Sequence, residues 1–196
     1  MCIRDRSEGV PEVFVIDDEM DITMYRISYE MVTGNQGHWS DLSTEEISTV
    51  RDLMDTMIPT PSGCFIQGFS QWPLKSIGVE HLSGINLRQE EINWISTKLT
   101  GDVQQEALFS YLTELGCVLR PGFKYGCKWR VYDDDVAKSH APWLLQPMTE
   151  APVSWEQTCL SVRLAEGVHK KWVCGLKEDI GDWKFLHIKR WLPGRV

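Results

Sequence analysis

The sequence of 196 residues lacks the features that mark several large classes of protein. It has no run of 18 apolar residues, which excludes a helix that spans a membrane. Its six cysteines include no Cys-x-x-Cys pair, and no secretory signal precedes them, which argues against a zinc knuckle and a disulfide framework. We therefore expect a cytoplasmic protein whose cysteines stay reduced and pack as small apolar side chains.

Motifs that hold nucleotides, catalytic metals or a nucleophilic serine are also missing. There is no Gly-x-Gly-x-x-Gly, no phosphate-binding loop, no Gly-x-Ser-x-Gly and no His-Glu-x-x-His. The acidic run Asp133, Asp134 and Asp135 has two interpretations, a solvated turn or, as the minority alternative, a metal site. We accordingly expect no cofactor and no bound metal.

Charge is distributed unevenly along the chain. Residues 1–119 contain 7 basic and 19 acidic residues, whereas residues 120–196 contain 13 basic and 9 acidic residues. The net charge of −8 therefore combines −12 in the first part with +4 in the last part. A basic last part is typical of a protein that meets a polyanion, although chance and a solvated acidic face would also produce this pattern.

Helical and strand patterns alternate along the sequence. Residues 12–28 predict a hairpin with an acidic turn, and residues 171–176 and 183–188 predict the last two strands. The chain is therefore expected to have a mixed α/β (α+β) fold. Four pairs have the spacing of residues that begin a helix: Ser43 with Glu46, Asn86 with Gln89, Asp102 with Gln105, and Ser154 with Gln157.

Three segments of the last part carry residues suited to chemistry. Tyr125-Gly-Cys-Lys-Trp-Arg-Val-Tyr-Asp-Asp-Asp is followed by Ser139-His-Ala-Pro-Trp-Leu and then by Arg163-Leu-Ala-Glu-Gly-Val-His-Lys-Lys-Trp-Val. Together they resemble the catalytic domain of tRNA-splicing endonucleases, the archaeal type in particular. The resemblance implies that Tyr132, His140 and Lys170 are catalytic.

The resemblance also implies the reaction. RNA is cleaved without a metal when the ribose 2′-OH attacks the adjacent phosphorus, which leaves a 2′,3′-cyclic phosphate and a 5′-OH. Tyr132 would remove the 2′-OH proton, His140 would protonate the leaving oxygen, and Lys170 would stabilise the charged transition state. His169 replaces the Arg usual before the lysine, so Lys171 remains an alternative to Lys170.

Binding residues follow from the same resemblance. Arg163 would hold a bulged base by guanidinium stacking, with Lys189 or Arg190 as its counterpart. The substrate would be precursor tRNA with a bulge-helix-bulge at the exon–intron junctions. Solvated or phosphate-contacting charges are the alternative for these three residues. Two other functions stay open: a non-catalytic structural subunit of the same complex, and a metal-dependent nuclease that uses Asp133–Asp135 with Lys170.

The resemblance, together with a similarity between two segments of the sequence, predicts how the chain is divided into domains. Residues 13–25 and 173–185 both read as strand, acidic turn and strand. Residues 1–35 are therefore expected to be a leader plus the terminal hairpin of a preceding repeat, truncated within that repeat. Residues 36–103 would form a small N-terminal α/β domain, and residues 104–196 a catalytic domain similar to restriction-nuclease folds.

The similarity between these two segments also predicts how subunits assemble. In the family, an acidic tip docks onto a basic face of the opposing subunit, and here Asp17, Asp18 and Asp21 would be that tip. We expect a two-fold homo-oligomer, a dimer of two-repeat chains, or a chain paired with a structural subunit. Residues 183–188 would lie at the dimer contact.

Overall fold

A computed structural model describes residues 2–4, 11–68, 70–102, 107–178 and 182–192 of the protein. The mixed α and β fold class is confirmed. In the described residues no helix is both long and apolar enough to span a membrane. Their strands are β1 (Cys2–Arg4), β2 (Glu12–Ile16), β3 (Ile22–Tyr29), β4 (Ile58–Thr60), β5 (Gly63–Gln67), β6 (Val79–His81), β7 (Gly84–Arg88), β8 (Val118–Pro121), β9 (Trp129–Tyr132), β10 (Trp143–Pro147), β11 (Lys171–Lys177) and β12 (Trp183–Trp191). Their α-helices are α1 (Thr44–Asp55), α2 (Gln89–Thr100), α3 (Leu108–Glu114) and α4 (Trp155–Gly167).

The chain forms two compact units, one of residues 1–32 with 119–196 and one of residues 33–118. The division into domains that the sequence suggested stays a prediction. The first unit contains a sheet in the order β1-β2-β3-β12-β11-β10-β9-β8. The hairpin predicted at residues 12–28 is confirmed as β2 and β3, and β3 pairs with β12. Residues from both ends of the chain thus lie side by side in one sheet.

Helix α4 connects β10 to β11, which are parallel neighbours. The side chain of Ser154 accepts a hydrogen bond from the backbone N–H of Gln157 at 3.3 Å, so the predicted start of this helix is confirmed. Helix α4 covers one face of the sheet with an apolar core. Its buried members are Val13, Tyr25, Cys127, Leu144, Val162, Ala165, Trp172, Cys174 and Ile188.

The second unit contains a sheet in the order β4-β5-β7-β6 and the helices α1, α2 and α3. Helix α1 begins as predicted, because the side chains of Ser43 and Glu46 each accept a hydrogen bond from the other's backbone N–H. Gly116 follows the end of α3 and has a φ of +76°, a backbone conformation that favours glycine. The backbones of Gly116 and Gly34 lie so close together that a Cβ would not fit at either residue.

The predicted start of α2 at Asn86 is wrong. Asn86 lies inside β7, whose Ile85 and Leu87 are buried, and the helix begins three residues later at Gln89. Buried Glu91 replaces Asn86 in the cap, because it accepts hydrogen bonds from the backbone N–H of Arg88 at 2.8 Å and from the guanidinium of Arg88 at 3.0 Å. For α3, the predicted partner Gln105 lies outside the described residues, and the helix as described begins at Leu108.

Candidate active site

Four strand termini meet at one edge of the eight-stranded sheet. Strand β9 ends at Tyr132 and runs antiparallel to β10, so its end lies beside the start of β10, just after His140. Strand β11 runs parallel to β10 and begins at the same edge, immediately after Lys170. Strand β12 returns antiparallel to β11 and brings Arg190 back to this edge. The topology thus gathers the predicted residues from four separate segments.

Alternation along the strands separates these residues between the two faces of the sheet. Val131 is paired with Trp143, and Trp143 is paired with Lys171, so these three side chains share one face. Tyr132 and Lys170 are their neighbours in sequence and belong to the opposite face, which α4 covers. Tyr132 is only 6% exposed there.

Lys170 is positioned by the end of α4. The backbone N–H of Lys170 donates to the carbonyl of Ala165 at 2.9 Å, after a left-handed turn at His169 with a φ of +55°. Its ammonium donates to the carbonyl of Ala141 at 2.6 Å. Burial, and secondly the positive charge of Arg130, lower the pKa of Lys170. The amine therefore lies next to the backbone that carries His140.

His140 is exposed at the end of the loop that joins β9 to β10. The backbone N–H groups of Lys138 and Ser139 both donate to the carbonyl of Asp135, at 2.9 and 3.0 Å, which folds the loop into a turn before the histidine. The imidazole of His140 is thus open to solvent at the end of a folded loop.

The acidic run contributes to the same turn. The carboxylate of Asp134 accepts from the backbone N–H of Asp135 at 2.7 Å, and that of Asp135 accepts from the N–H of Ala137 at 2.9 Å. Asp133 is half-buried. Within the described part of the chain, no three His, Cys, Asp or Glu side chains are grouped as metal ligands would be.

Lys171 lies in a different environment from Lys170. Its ammonium forms an ion pair with the carboxylate of Glu30 at 2.7 Å. Glu30 also accepts a hydrogen bond from the indole N–H of Trp143 at 3.0 Å and lies 3.8 Å from His187. Burial raises the pKa of Glu30, but the hydrogen bonds from Lys171 and Trp143 outweigh it, so the net shift is downward. The charge of Lys171 is thus compensated on the face opposite to Tyr132.

Arg190 lies beside α4, the helix that carries Arg163. Arg163 is exposed on α4, and the backbone N–H of Arg190 donates to the carboxylate of Glu166, one turn further along that helix, at 2.9 Å. Both guanidinium charges act on Tyr25. Burial and then the hydrogen bond with Cys159 raise the pKa of Tyr25, while Arg190 and Arg163 oppose this rise.

Lys189, the other predicted counterpart of Arg163, is exposed on the opposite face of β12. It is paired with Arg26, and its charge acts on His187. Burial, the largest cause, lowers the pKa of His187, and the charges of Lys171 and Lys189 add to this effect against the opposing influence of Glu30. Of the two candidates, Arg190 is therefore the one that shares a face with Arg163.

The predicted assembly residues lie at the exposed turn between β2 and β3. The carboxylate of Asp17 accepts from the backbone N–H groups of Glu19 at 3.0 Å and Asp21 at 2.9 Å, so it stabilises the turn itself. Asp18 and Asp21 are also exposed. Ile16, Met20 and Ile22 beside them expose more than half of their surface.

Two residues near the site were missed by the sequence analysis. Arg130 is two residues before Tyr132 on β9 and shares its face; this alternation was the signal available in the sequence. Glu30 follows the predicted hairpin, and no local pattern in the sequence indicates its ion pair, because its partner Lys171 is 141 residues away.

Comparison with known proteins shows which domain the later part of this chain is similar to. Residues 103–185 match the family model of the tRNA intron endonuclease, catalytic C-terminal domain. The matched region includes Tyr132, His140, Arg163 and Lys170. Residues 103–185 are thus similar to this catalytic domain, which agrees with the resemblance found in the sequence.

Curated archaeal proteins named tRNA-splicing endonuclease match most of the chain. The protein from Halobacterium salinarum is 34% identical over 95% of this chain and 61% of its own length. Those from Natronomonas pharaonis and Thermoplasma volcanium are each 26% identical, over 97% and 90% of this chain and over 62% and 54% of their own lengths. The chain thus spans little more than half the length of these relatives.

Proposed function

We propose that the protein is an endoribonuclease that removes introns from precursor tRNA. The observation that carries the proposal is the contact between the Lys170 ammonium and the Ala141 carbonyl at 2.6 Å, since it fixes a cation beside His140 at the edge where β9 ends in Tyr132. Similarity to the relatives supports the substrate class, because the matching proteins are named for tRNA splicing. As a tRNA-processing enzyme, the protein would act in the cytoplasm.

The proposed reaction is a transesterification within the RNA. The 2′-oxygen forms a bond to the adjacent phosphorus while the bond from phosphorus to the 5′-oxygen breaks. Tyr132 accepts the proton of the 2′-OH, and His140 gives a proton to the departing 5′-oxygen. Lys170 stabilises the negative charge that grows on the phosphorane. The products are a 2′,3′-cyclic phosphate and a 5′-OH.

The proposed residues for substrate recognition are Arg163 and Arg190. Arg163 is exposed on α4, and Arg190 is exposed on the sheet face that α4 covers, where its backbone N–H donates to Glu166 of that helix. The proposed role of the two guanidinium groups is to stack on an unstacked base. Unstacked bases occur where a bulge interrupts an RNA helix. This arrangement supports the proposal that the enzyme cuts at bulge-helix-bulge junctions.

An assembly with two-fold symmetry completes the proposed enzyme. The acidic tip at Asp17, Asp18 and Asp21 would dock onto a basic face of another subunit. Complementary charge of this kind fixes the register between partners. The uneven charge of the sequence, −12 in residues 1–119 and +4 in residues 120–196, provides both kinds of surface.

The experiment that tests this function is cleavage of a precursor tRNA by the assembled enzyme and by a His140→Ala variant. We expect the variant to cut more slowly by on the order of 10²–10⁴-fold, the usual contribution of a positioned acid. The exposed histidine His81 supplies the matched control, because His81→Ala removes the same group elsewhere on the surface. Equal rates for His140→Ala and the wild type would overturn the assignment, and an inactive wild type would favour a structural subunit.

A further inference from the structure

We propose that Arg130 binds the phosphate at the cut together with Lys170, as a further catalytic residue. The inference rests on the proposed RNA cleavage and adds a second cation to it. Arg130 is absent from the set of Tyr132, His140 and Lys170 that the family resemblance implies.

The position of Arg130 follows from β9. It precedes Tyr132 by two residues, so both side chains lie on the face covered by α4. The central carbon of its guanidinium is 5.9 Å from the centroid of the Tyr132 ring. Its Nε donates to the carbonyl of Pro121 at 3.1 Å, which anchors the side chain. Arg130 is therefore held beside the residue proposed to remove the 2′-OH proton.

Arg130 and Lys170 share a property that bears on phosphate binding. Within the described part of the chain, neither forms an ion pair with a carboxylate, and the two terminal nitrogens of Arg130 donate to no described residue. Five other cations of the unit form ion pairs: Lys171 with Glu30, Lys128 with Glu150, Lys138 with Asp135, Lys184 with Glu178, and Arg26 with Glu12. The phosphate of a bound RNA can therefore bind between Arg130 and Lys170.

Arg130 and Lys170 lie on the same face of the sheet, because Val131 and Lys171, their neighbours in sequence, both pair with Trp143. The positive charge of Arg130 opposes that of Lys170 and, after burial, is the second cause that lowers the pKa of Lys170. A phosphate between them relieves this repulsion. The phosphodiester carries one negative charge, whereas the phosphorane formed by attack of the 2′-oxygen carries two. A second cation consequently stabilises the transition state more than the substrate, which raises kcat rather than affinity alone.

Arg130 takes no part in proton transfer, because a guanidinium stays protonated in proteins. Its role is to donate hydrogen bonds to a non-bridging phosphate oxygen, and its planar fork suits that geometry. The bonds made and broken are those of the proposed transesterification, with the protons on Tyr132 and His140 as before.

The test compares Arg130→Ala and Arg130→Lys with the wild type in single-turnover cleavage. We expect Arg130→Ala to lower the rate by on the order of 10²–10³-fold, as loss of one oxyanion donor does. Arg130→Lys should recover part of the rate, since it keeps the charge but loses the fork. Binding of an uncleavable substrate with 2′-H at the cut should weaken by less than about tenfold, because the ground state carries only one charge. Arg51→Ala, at an exposed arginine of the other unit, is the control.

A second readout separates contact with phosphate from a structural role. The two diastereomers of a phosphorothioate at the cut differ in which non-bridging oxygen is replaced by sulfur. The wild type should cut one of them distinctly more slowly, and Arg130→Ala should lose this difference. If Arg130→Ala is unfolded, Arg130→Lys carries the same test.

The outcomes distinguish this inference from the proposed function. Wild-type rates and an unchanged phosphorothioate difference in Arg130→Ala, with His140→Ala inactive, would overturn the role of Arg130 and leave the function intact. A wild-type enzyme that leaves precursor tRNA uncut would instead remove the function on which the inference rests.

Discussion

The carboxylate of Glu30 forms an ion pair with Lys171 at 2.7 Å and also accepts the indole N–H of Trp143 at 3.0 Å. This relationship gives two adjacent lysines different environments. Lys171 is neutralised on one face of the sheet, whereas Lys170 on the other face donates to a backbone carbonyl and, among the described residues, forms no ion pair with a carboxylate. The contact therefore favours Lys170 as the lysine that binds phosphate.

The first prediction concerns these two lysines. Lys170→Ala should lower the single-turnover rate by on the order of 10²–10³-fold, because the charge on the phosphorane loses a partner. Lys171→Ala should lower it by less than about tenfold but should reduce thermal stability, because Glu30 loses its ion pair. Parallel measurements of cleavage rate and melting temperature check both. The reverse order of rates would move the catalytic role to Lys171.

The second prediction is that acid destabilises the first unit through His187 and Glu30. Both groups have pKa values below their ordinary values of 6.5 and 4.5. A depressed pKa in the folded state means that the group contributes stability above its unfolded pKa. This contribution is lost as the pH falls, first below about 6.5 for His187 and then below about 4.5 for Glu30.

Glu30→Gln tests this contribution by urea denaturation at pH 7 and pH 4. The variant should be less stable by about 1–3 kcal/mol at pH 7, the usual loss for a charged hydrogen bond. The difference from the wild type should be smaller at pH 4, because the contribution of the wild-type carboxylate begins to be lost once the pH falls below about 4.5. The exposed Glu80 provides the control as Glu80→Gln. A difference that stays constant with pH would show that the carboxylate charge is not involved.

The third prediction separates Arg190 from Lys189. Arg163→Ala and Arg190→Ala should each weaken binding of an uncleavable precursor tRNA by about 1–3 kcal/mol, the range for loss of one stacked base. Lys189→Ala should cost less, because its side chain lies on the other face of β12. Binding titrations at one fixed salt concentration check this, since phosphate contacts depend on salt. Equal losses at Arg190 and Lys189 would contradict a stacking pair on one face.

The fourth prediction concerns the acidic tip. Charge reversal at Asp18 and Asp21 should weaken assembly while leaving the hairpin folded. Asp17 is unsuitable for this test, because its carboxylate accepts two backbone hydrogen bonds within the turn. Light scattering on the assembled protein, with and without the two substitutions, measures the effect. An unchanged mass at the same protein concentration would show that Asp18 and Asp21 do not contribute to assembly.

Local signals in the sequence predicted the elements that depend on local contacts. Ser43 with Glu46 begins α1, and Ser154 begins α4, because a cap forms between residues three positions apart. The same spacing failed at Asn86, where two buried apolar side chains keep the chain in β7 and Glu91 caps the helix from inside.

Long-range contacts lay beyond the reach of sequence patterns. Strand β12 was predicted to end at Ile188 but extends to Trp191, because β3 pairs with its last residues. The resemblance to a known family supplied Tyr132, His140 and Lys170. The pairing of Lys171 with Glu30 required the sheet, because these two residues are 141 positions apart in the sequence.

The central claim is that the ribose 2′-OH is the nucleophile and that no metal takes part in the chemical step. It is tested most directly by cleavage in excess EDTA of two precursor tRNAs that differ only by 2′-OH or 2′-H at the cut. The account predicts that the first is cut to a 2′,3′-cyclic phosphate and a 5′-OH, and that the second stays intact. Cleavage of the 2′-H substrate, or a strict requirement for magnesium, would contradict it and favour the metal-dependent nuclease with Asp133–Asp135.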